Sequence, residues 1–287
     1  MELTKDKKIL IIGLGVIGGS YAEGLTRAGF NVSAVDIDND TVRYAKEHNF
    51  VKEAKIYADP LMLGSADIII FALYPGAFVN WIKNNQSLFK SGALITDVTG
   101  IKTSIVYEIQ DMLRDDLEYV PAHPMAGREA SGIRYASADV FKGANMIITP
   151  TAKNSKEAVA AVTALADVLN FGKISILTPE EHDEMIGFLS QLTHCIAVSL
   201  MTCKNSEHLV DYTGDSFRDL TRIAKINENM WPELFKLNKE TLLNQMDLFL
   251  REFSRLRVYI EDDETEKIKE MMRLSTKRRT LFDKEEK

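Results

Sequence analysis

The sequence predicts an α/β protein, with a doubly wound parallel sheet in residues 1–178 and an all-α part over residues 179–287. Three observations carry this. Short apolar runs alternate with longer amphipathic stretches between residues 8 and 177, the pattern of strands joined by crossover helices. The first run leads at once into Gly13-Leu14-Gly15-Val16-Ile17-Gly18. After Thr178-Pro179 the pattern becomes nearly continuous helical periodicity.

Residues 8–12 form a short apolar run, which reads as a buried parallel strand. The glycine run follows, then a small-residue helix over residues 17–28. In that context GxGxxG is a Rossmann-type dinucleotide fingerprint: Gly13 makes the tight turn, Gly15 lets a pyrophosphate approach the backbone, and Gly18 lets helix and strand pack closely. The amides of Val16 and Ile17, at the positive end of the helix dipole, suit phosphate. Residues 31–35 form the second strand, with Asp36 at its end. A carboxylate there accepts hydrogen bonds from ribose hydroxyls and repels a 2′-phosphate, so the predicted cofactor is NAD rather than NADP. Further strands are predicted at residues 67–73, 93–97, 145–149 and 173–177. Helices are predicted at residues 76–88, 102–113 and 155–169. Residues 128–142 lack periodicity and read as a long loop.

Residues 117–122 read as another short strand, from which Pro124 would force the chain, leaving His123 extended at its carboxyl end. On this stretch alone, a loop histidine satisfied by a neighbour is the simpler reading. Ligands of doubly wound sheets, however, sit outside the carboxyl ends of the strands. Gly13, Asp36, Tyr74-Pro75, residues 97–102 and His123 all fall there. That convergence makes His123 a candidate general base.

The helical part opens with Thr178 as a cap, Pro179 in the first turn, and Glu180-Glu181 at the positive end. At uniform helical spacing Met185, Leu189, Leu192, Ile196 and Leu200 form an apolar stripe, and Asp183, Gly187, Ser190 and His194 a small polar one. The polar stripe is a solvated face or a cleft wall, so His194 is either a hydrogen-bonded half-buried histidine or a ligand group. Arg218 and Arg222 lie one helical turn apart. Surface pairing with Asp215 or Asp219 is the reading for Arg218, and Arg222 stays open between such a pair and a carboxylate clamp. Trp231 is a core residue or an aromatic wall. From residue 261 the chain is mostly charged and reads as a solvated helix and a frayed tail.

Composition narrows the function classes. The 287 residues are 45% hydrophobic and 27% charged with a net charge of -7, which argues against a nucleic-acid or anionic-membrane partner. Cys195 and Cys203, in one predicted helix, would lie about 12 Å apart, too far for a disulfide. Reduced thiols point to a cytoplasmic location. Lys5-Asp6-Lys7-Lys8 before an apolar run superficially resembles a signal peptide, but Asp6, the glycines and the helix that follows make it a first strand and turn. No apolar run is expected to span a membrane. No metal site is expected, and amphipathic surface in the helical part suggests a homodimer.

The residues resemble the prephenate dehydrogenases of tyrosine biosynthesis and their arogenate relatives, from about residue 9 to 238. The most specific piece is His123-Pro124-Met125-Ala126-Gly127 with Glu129 and Gly132. Glu181-His182-Asp183, Ser190-Gln191-Leu192-Thr193-His194, residues 217–224 (FRDLTRIA) and Met230-Trp231 support it. The resemblance implies NAD-dependent oxidative decarboxylation of prephenate to 4-hydroxyphenylpyruvate, with hydride passing to NAD and His123 accepting the ring hydroxyl's proton or hydrogen bond. It further implies that Arg222 binds a carboxylate, His194 lines the substrate site and Trp231 forms a wall. Alternatives are the same chemistry on arogenate, with Asp215 as the position to watch, or a homologue that binds NAD without turnover. The family's Asp-x-x-Ser-x-Lys stretch is here Asp97-Val98-Thr99-Gly100-Ile101-Lys102, with Gly100 at the serine position and Thr99 or Thr103 as candidate substitutes for its hydroxyl. Gln191, Thr193 and Asp215-Ser216 also depart from the family pattern. The short tail after residue 256 suggests a monofunctional enzyme.

Overall fold

Six parallel strands build the principal sheet of the computed structural model, which describes residues 2–127, 130–205 and 208–283. These are β1 (Lys8–Ile12), β2 (Asn31–Val35), β3 (Glu53–Lys55), β4 (Ile68–Phe71), β5 (Leu94–Asp97) and β6 (Glu118–Tyr119), in spatial order β3-β2-β1-β4-β5-β6. Side chains of β1 and β4 are buried on both faces: Ile9, Ile11, Ile68 and Ile70 enter one core, Leu10, Ile12, Ile69 and Phe71 the other. This burial explains why the strands read as unbroken apolar runs. The strand order reverses between β1 and β4, which places a crevice at their carboxyl ends.

Helices α1 (Val16–Arg27), α2 (Asn39–Glu47), α3 (Pro60–Ser65), α4 (Pro75–Asn85), α5 (Thr103–Met112) and α6 (Lys156–Val168) join and flank the strands. The sequence reading passed over α2, β3 and α3. Both helices carry side-chain caps, with Asp38 accepting from Thr41 N and Asp59 from Leu61 N and Met62 N, but neither has a long apolar stripe.

The last strands depart from the single parallel sheet predicted. Strands β7 (Ala122–Met125), β8 (Asn145–Ile148) and β9 (Lys173–Ile176) form a separate sheet, with β7 antiparallel to β8 and β9 parallel to it. The strand predicted at residues 117–122 is thus broken at Val120-Pro121, and His123 lies inside β7, paired with Ile147. Pro124 does not expel the chain, because β7 is the outer strand and a proline there costs no ladder bond. Residues 130–142 are pinned rather than free. Two short 3-10 turns, Ile133–Tyr135 and Ala138–Phe141, pack on α1 with Ile133 and Phe141 buried. Ser137 N donates to Ser20 Oγ at 3.0 Å and Ala138 N to Glu23 Oε2 at 2.6 Å. Glu129 of the motif lies outside the described residues, as do residues 284–287 of the expected tail.

Helix α7 (Pro179–Ile186) begins with a capping box between Thr178 and Glu181 and continues into α8 (Thr193–Thr202) through a π turn at Gly187–Leu192. The wide turn corrects the predicted stripes. Burial steps from Ile186 to Gln191 and from Gly187 to Leu192, five residues rather than four, so Met185 and Leu189 of the apolar stripe are exposed. The expectation that no apolar run could span a membrane also needs correction. Pro179–Thr202 is long and apolar enough by length and composition alone, at mean hydropathy 1.4, because residues 185–202 carry no Asp, Glu, Lys or Arg. Its polar side chains at 182, 183 and 191 bond to other parts of the chain.

Helices α9 (Asp215–Thr221) and α10 (Trp231–Leu237) follow, then α11 (Lys239–Glu261) and α12 (Thr265–Arg279). The chain divides into two compact units, one ending at Lys239 and one beginning at Glu240. The second carries exposed Leu248, Leu250, Phe253, Ile260 and Met272, and its ion pairs include Arg257–Glu261 and Lys269–Glu266.

Candidate active site

The site begins at the end of β1. Gly13 has φ +93°, and a Cβ there would lie 2.5 Å from the Ala72 carbonyl oxygen; a Cβ on Gly18 would lie 1.9 Å from Gly13 O. Both glycines are therefore demanded by geometry. Gly15 is exposed and a Cβ there would meet nothing within 4 Å, so space lies open over the helix start. No side chain caps α1, which leaves the amides of its first turn, Val16, Ile17 and Gly18, for a ligand. Asp36 accepts from Leu14 N at 2.7 Å and Asp38 N at 2.9 Å, and Ile37 beside it is 93% exposed. An open anion-binding turn, an anchored carboxylate and an apolar surface fit a dinucleotide.

At the end of β5 lies a buried network that sequence reasoning left without a role. Lys102 and Asp97, both fully buried, form an ion pair at 2.7 Å. Lys102 Nζ also donates to Thr99 Oγ1 at 3.2 Å and Ala122 O at 2.6 Å, three acceptors for the three hydrogens of an ammonium group. Asp97 accepts from Tyr119 OH at 2.9 Å, Ala122 N at 3.1 Å, Thr99 N at 2.8 Å and the Thr99 hydroxyl. Burial pulls Lys102 below the usual lysine range while Asp97 and Asp183 oppose it. The network fastens β7 at Ala122, one residue before His123, to the carboxyl end of β5.

His123 is half-buried, and its Nδ1 lies 2.9 Å from His182 Nε2. His182 Nδ1 in turn lies 2.8 Å from Asp183 Oδ1, and Asp183 accepts from Lys102 N at 2.9 Å and Thr103 N at 2.8 Å. Burial, then His182 and Lys102, hold His123 well below the ordinary histidine range. Of the two candidates for the missing hydroxyl, Thr99 is engaged by Asp97 and Lys102, and the ring's Nδ1 contact goes to His182. At Gly100 a Cβ would sit 3.7 Å from His123 Nε2 and Cε1, so glycine keeps a side chain away from that edge of the ring. His182 stood within a recognised motif, but its partnership with His123, 59 residues away, carries no local signal.

The wall opposite is built by α8 and the segment after it. His194 Nδ1 donates to Ser190 O at 2.8 Å, and its ring lies 3.9 Å from Trp231, tilted by 34°. Burial lowers the His194 pKa, opposed by the Ser190 bond. Arg222 begins a short turn, Arg222–Ala224, that packs against α8. The structure therefore brings His194 and Trp231 together, with the Arg222 turn against the same helix. Arg218 pairs with Asp215 at 3.3 Å on the surface, the reading expected for it. Gln191 is buried, donates to Leu234 O at 3.0 Å and accepts from Asn238 at 2.8 Å, so it braces the wall. Asn238, a residue no motif flagged, also donates to Asp183 O at 2.9 Å. Glu233 accepts from Gly76 N at 2.7 Å, joining the wall to the start of α4. Cys195 and Cys203 are free thiols, and the described residues contain no cluster suited to a metal ion.

Comparisons with known proteins agree with this arrangement. The model of the prephenate dehydrogenase nucleotide-binding domain matches residues 21–173, and that of the prephenate dehydrogenase dimerization domain matches residues 178–274. Prephenate dehydrogenase of Bacillus subtilis (strain 168) is 31% identical over 278 residues, covering 93% of this chain and 74% of that protein. Cyclohexadienyl dehydrogenase of Zymomonas mobilis is 28% identical, with 96% of each chain covered. The solved structure of prephenate dehydrogenase from A. aeolicus in complex with hydroxyphenyl propionate and NAD+ superposes with a TM-score of 0.89 at 26% identity, covering 98% of this chain and 100% of that one.

Proposed function

The chain belongs to the prephenate dehydrogenase family, and on that premise we propose that it catalyses the NAD-dependent oxidative decarboxylation of prephenate to 4-hydroxyphenylpyruvate. The observation that carries the reading is His123. The strand that carries it is fastened through Ala122 to the Asp97–Lys102 pair, and its ring is gripped at Nδ1 with Nε2 toward Gly100.

NAD, when bound on the glycine turn, supplies the hydride acceptor. Gly13, Gly15, Gly18 and the amides of Val16 and Ile17 receive the pyrophosphate, and Asp36 the ribose hydroxyls. The ring carbon bearing the 4-hydroxyl gives up its hydrogen as hydride, and the hydroxyl proton passes to His123 Nε2. The bond to the ring carboxylate breaks, carbon dioxide leaves, and its electron pair moves through the ring to the 4-oxygen, which takes the proton back from His123 as the ring becomes aromatic. Arg222 binds a carboxylate of the dianion, while His194 and Trp231 line the substrate ring. Asp215, the position to watch for the amine of arogenate, is paired with Arg218, which supports the prephenate reading. In this reading residues 1–178 bind the cofactor, and residues 179–287 bind substrate and join two copies in a homodimer in the cytoplasm.

The deciding experiment follows NADH absorbance with purified protein and NAD on prephenate and on arogenate. Turnover of prephenate is expected; turnover of arogenate alone would rename the substrate, and silence on both despite NAD binding would overturn the reading. Arg222→Ala should raise the prephenate KM about 10- to 100-fold, the scale of one charged hydrogen bond, with kcat little changed. An unaltered KM would move the clamp elsewhere. Asp36→Ala should weaken NAD about tenfold or more and narrow its preference over NADP, since the carboxylate also holds the glycine turn through Leu14 N. Unchanged selectivity would remove Asp36 from the ribose.

A further inference from the structure

The hydrogen bonds around His123 determine where its protons are. Burial alone would raise the Asp183 carboxyl, but the bonds from His182 and from Thr103 N and Lys102 N bring it below the usual range. A carboxylate only accepts, so His182 donates from Nδ1, and a neutral His182 keeps a lone pair on Nε2. That lone pair faces His123 Nδ1 at 2.9 Å. His123 must therefore donate from Nδ1, which leaves its own Nε2 bare on the side next to Gly100.

We propose that His182 and Asp183 are positioning residues of this active site: they hold His123 as the Nδ1–H tautomer with Nε2 basic, and steady the imidazolium formed when it takes the substrate's hydroxyl proton. The proposal rests on the reading of His123 as the base. Its electrostatic setting supports it. Lys102 faces His123 from the start of α5, with Asp97 and Tyr119 behind it, and His182 and Asp183 face it from α7. Burial lowers His182, with its bond to Asp183 opposing, and burial lowers His123 further, so both rings are neutral at neutral pH. A carboxylate in direct contact with His123 would favour its protonated form. The interposed imidazole transmits orientation while keeping the base free of a proton. This device also explains how Gly100 can stand where relatives carry a serine, because the ring is oriented from its other nitrogen.

Heteronuclear NMR of the imidazole nitrogens in the full-length protein with NAD at neutral pH should find His123 protonated at Nδ1 and bare at Nε2. The opposite tautomer would overturn the proposal. His182→Leu should lower kcat about 10- to 100-fold, the scale of losing an outer-shell partner, with the KM values for NAD and prephenate little changed and the acid limb of the kcat/KM profile displaced. His182→Gln, whose amide oxygen can accept from His123 Nδ1, should restore most of kcat while the acid limb stays displaced, because a titrating ring is gone. Wild-type kcat with an unmoved acid limb in His182→Leu sinks the idea. Should that variant not fold, an unmoved limb in His182→Gln does the same. His123→Asn measured alongside separates the two claims: an active His123→Asn removes the base itself, whereas an inactive one beside a fully active His182→Leu removes only the positioning role.

Discussion

His123→Asn should cut kcat by about 10²–10⁴-fold, the usual worth of a positioned general base, or about 3–5 kcal/mol of barrier. Asparagine can still donate toward His182 Nε2 and keep β7 in place, but it offers no nitrogen that takes a proton near neutral pH. The dinucleotide turn at Gly13–Gly18 and Asp36 is made from other strands, so NAD affinity measured by fluorescence titration should match the wild type. Loss of turnover with cofactor binding retained is the expected pair of results. Turnover near the wild-type level would place the base elsewhere.

The second large effect is on stability. Lys102→Ala should cost about 3–5 kcal/mol, because removing one member of a buried ion pair strands the other charge without water. Asp97 would keep Tyr119, Thr99 and Ala122 N as donors, but the Ala122 carbonyl would lose its partner. The loss should appear as a lower denaturant midpoint at unchanged slope. Whatever folded protein remains should also turn over more slowly, since Ala122 precedes His123. A midpoint within the error of the wild type would mean that water fills the space left by the side chain and solvates Asp97.

Much of the nucleotide-binding part was legible in the sequence because its signals are local. β1 and β2 fall at the predicted residues 8–12 and 31–35, and the glycine turn and Asp36 follow from turn chemistry and strand ends. Locality also sets where reading failed. Residues 39–65 hold two short helices and a three-residue strand, too brief for periodicity to register. The strand through Pro124 was misplaced because a proline's meaning depends on whether its strand has a neighbour on that side. The stripes on Pro179–Thr202 slipped because a single π turn inserts one residue into the helical repeat. His182, Gln191 and Asn238 reach partners 43 to 59 residues away, and no spacing rule joins residues across that distance. His123 was found through its neighbours in sequence; the groups that hold it were not.

The buried ion pair has a consequence for self-association. In β7 the groups turned toward β8 belong to Pro121, His123 and Met125, while Ala122 and Pro124 turn away from it. An outermost strand with free amides and carbonyls is a template on which another chain can add and start an aggregate. Here Asp97 takes the Ala122 amide and Lys102 its carbonyl, and Pro124 has no amide hydrogen to offer. Two charged side chains and one proline thus stand in for the missing fourth strand, so the stretch that presents His123 cannot recruit one from a neighbouring molecule.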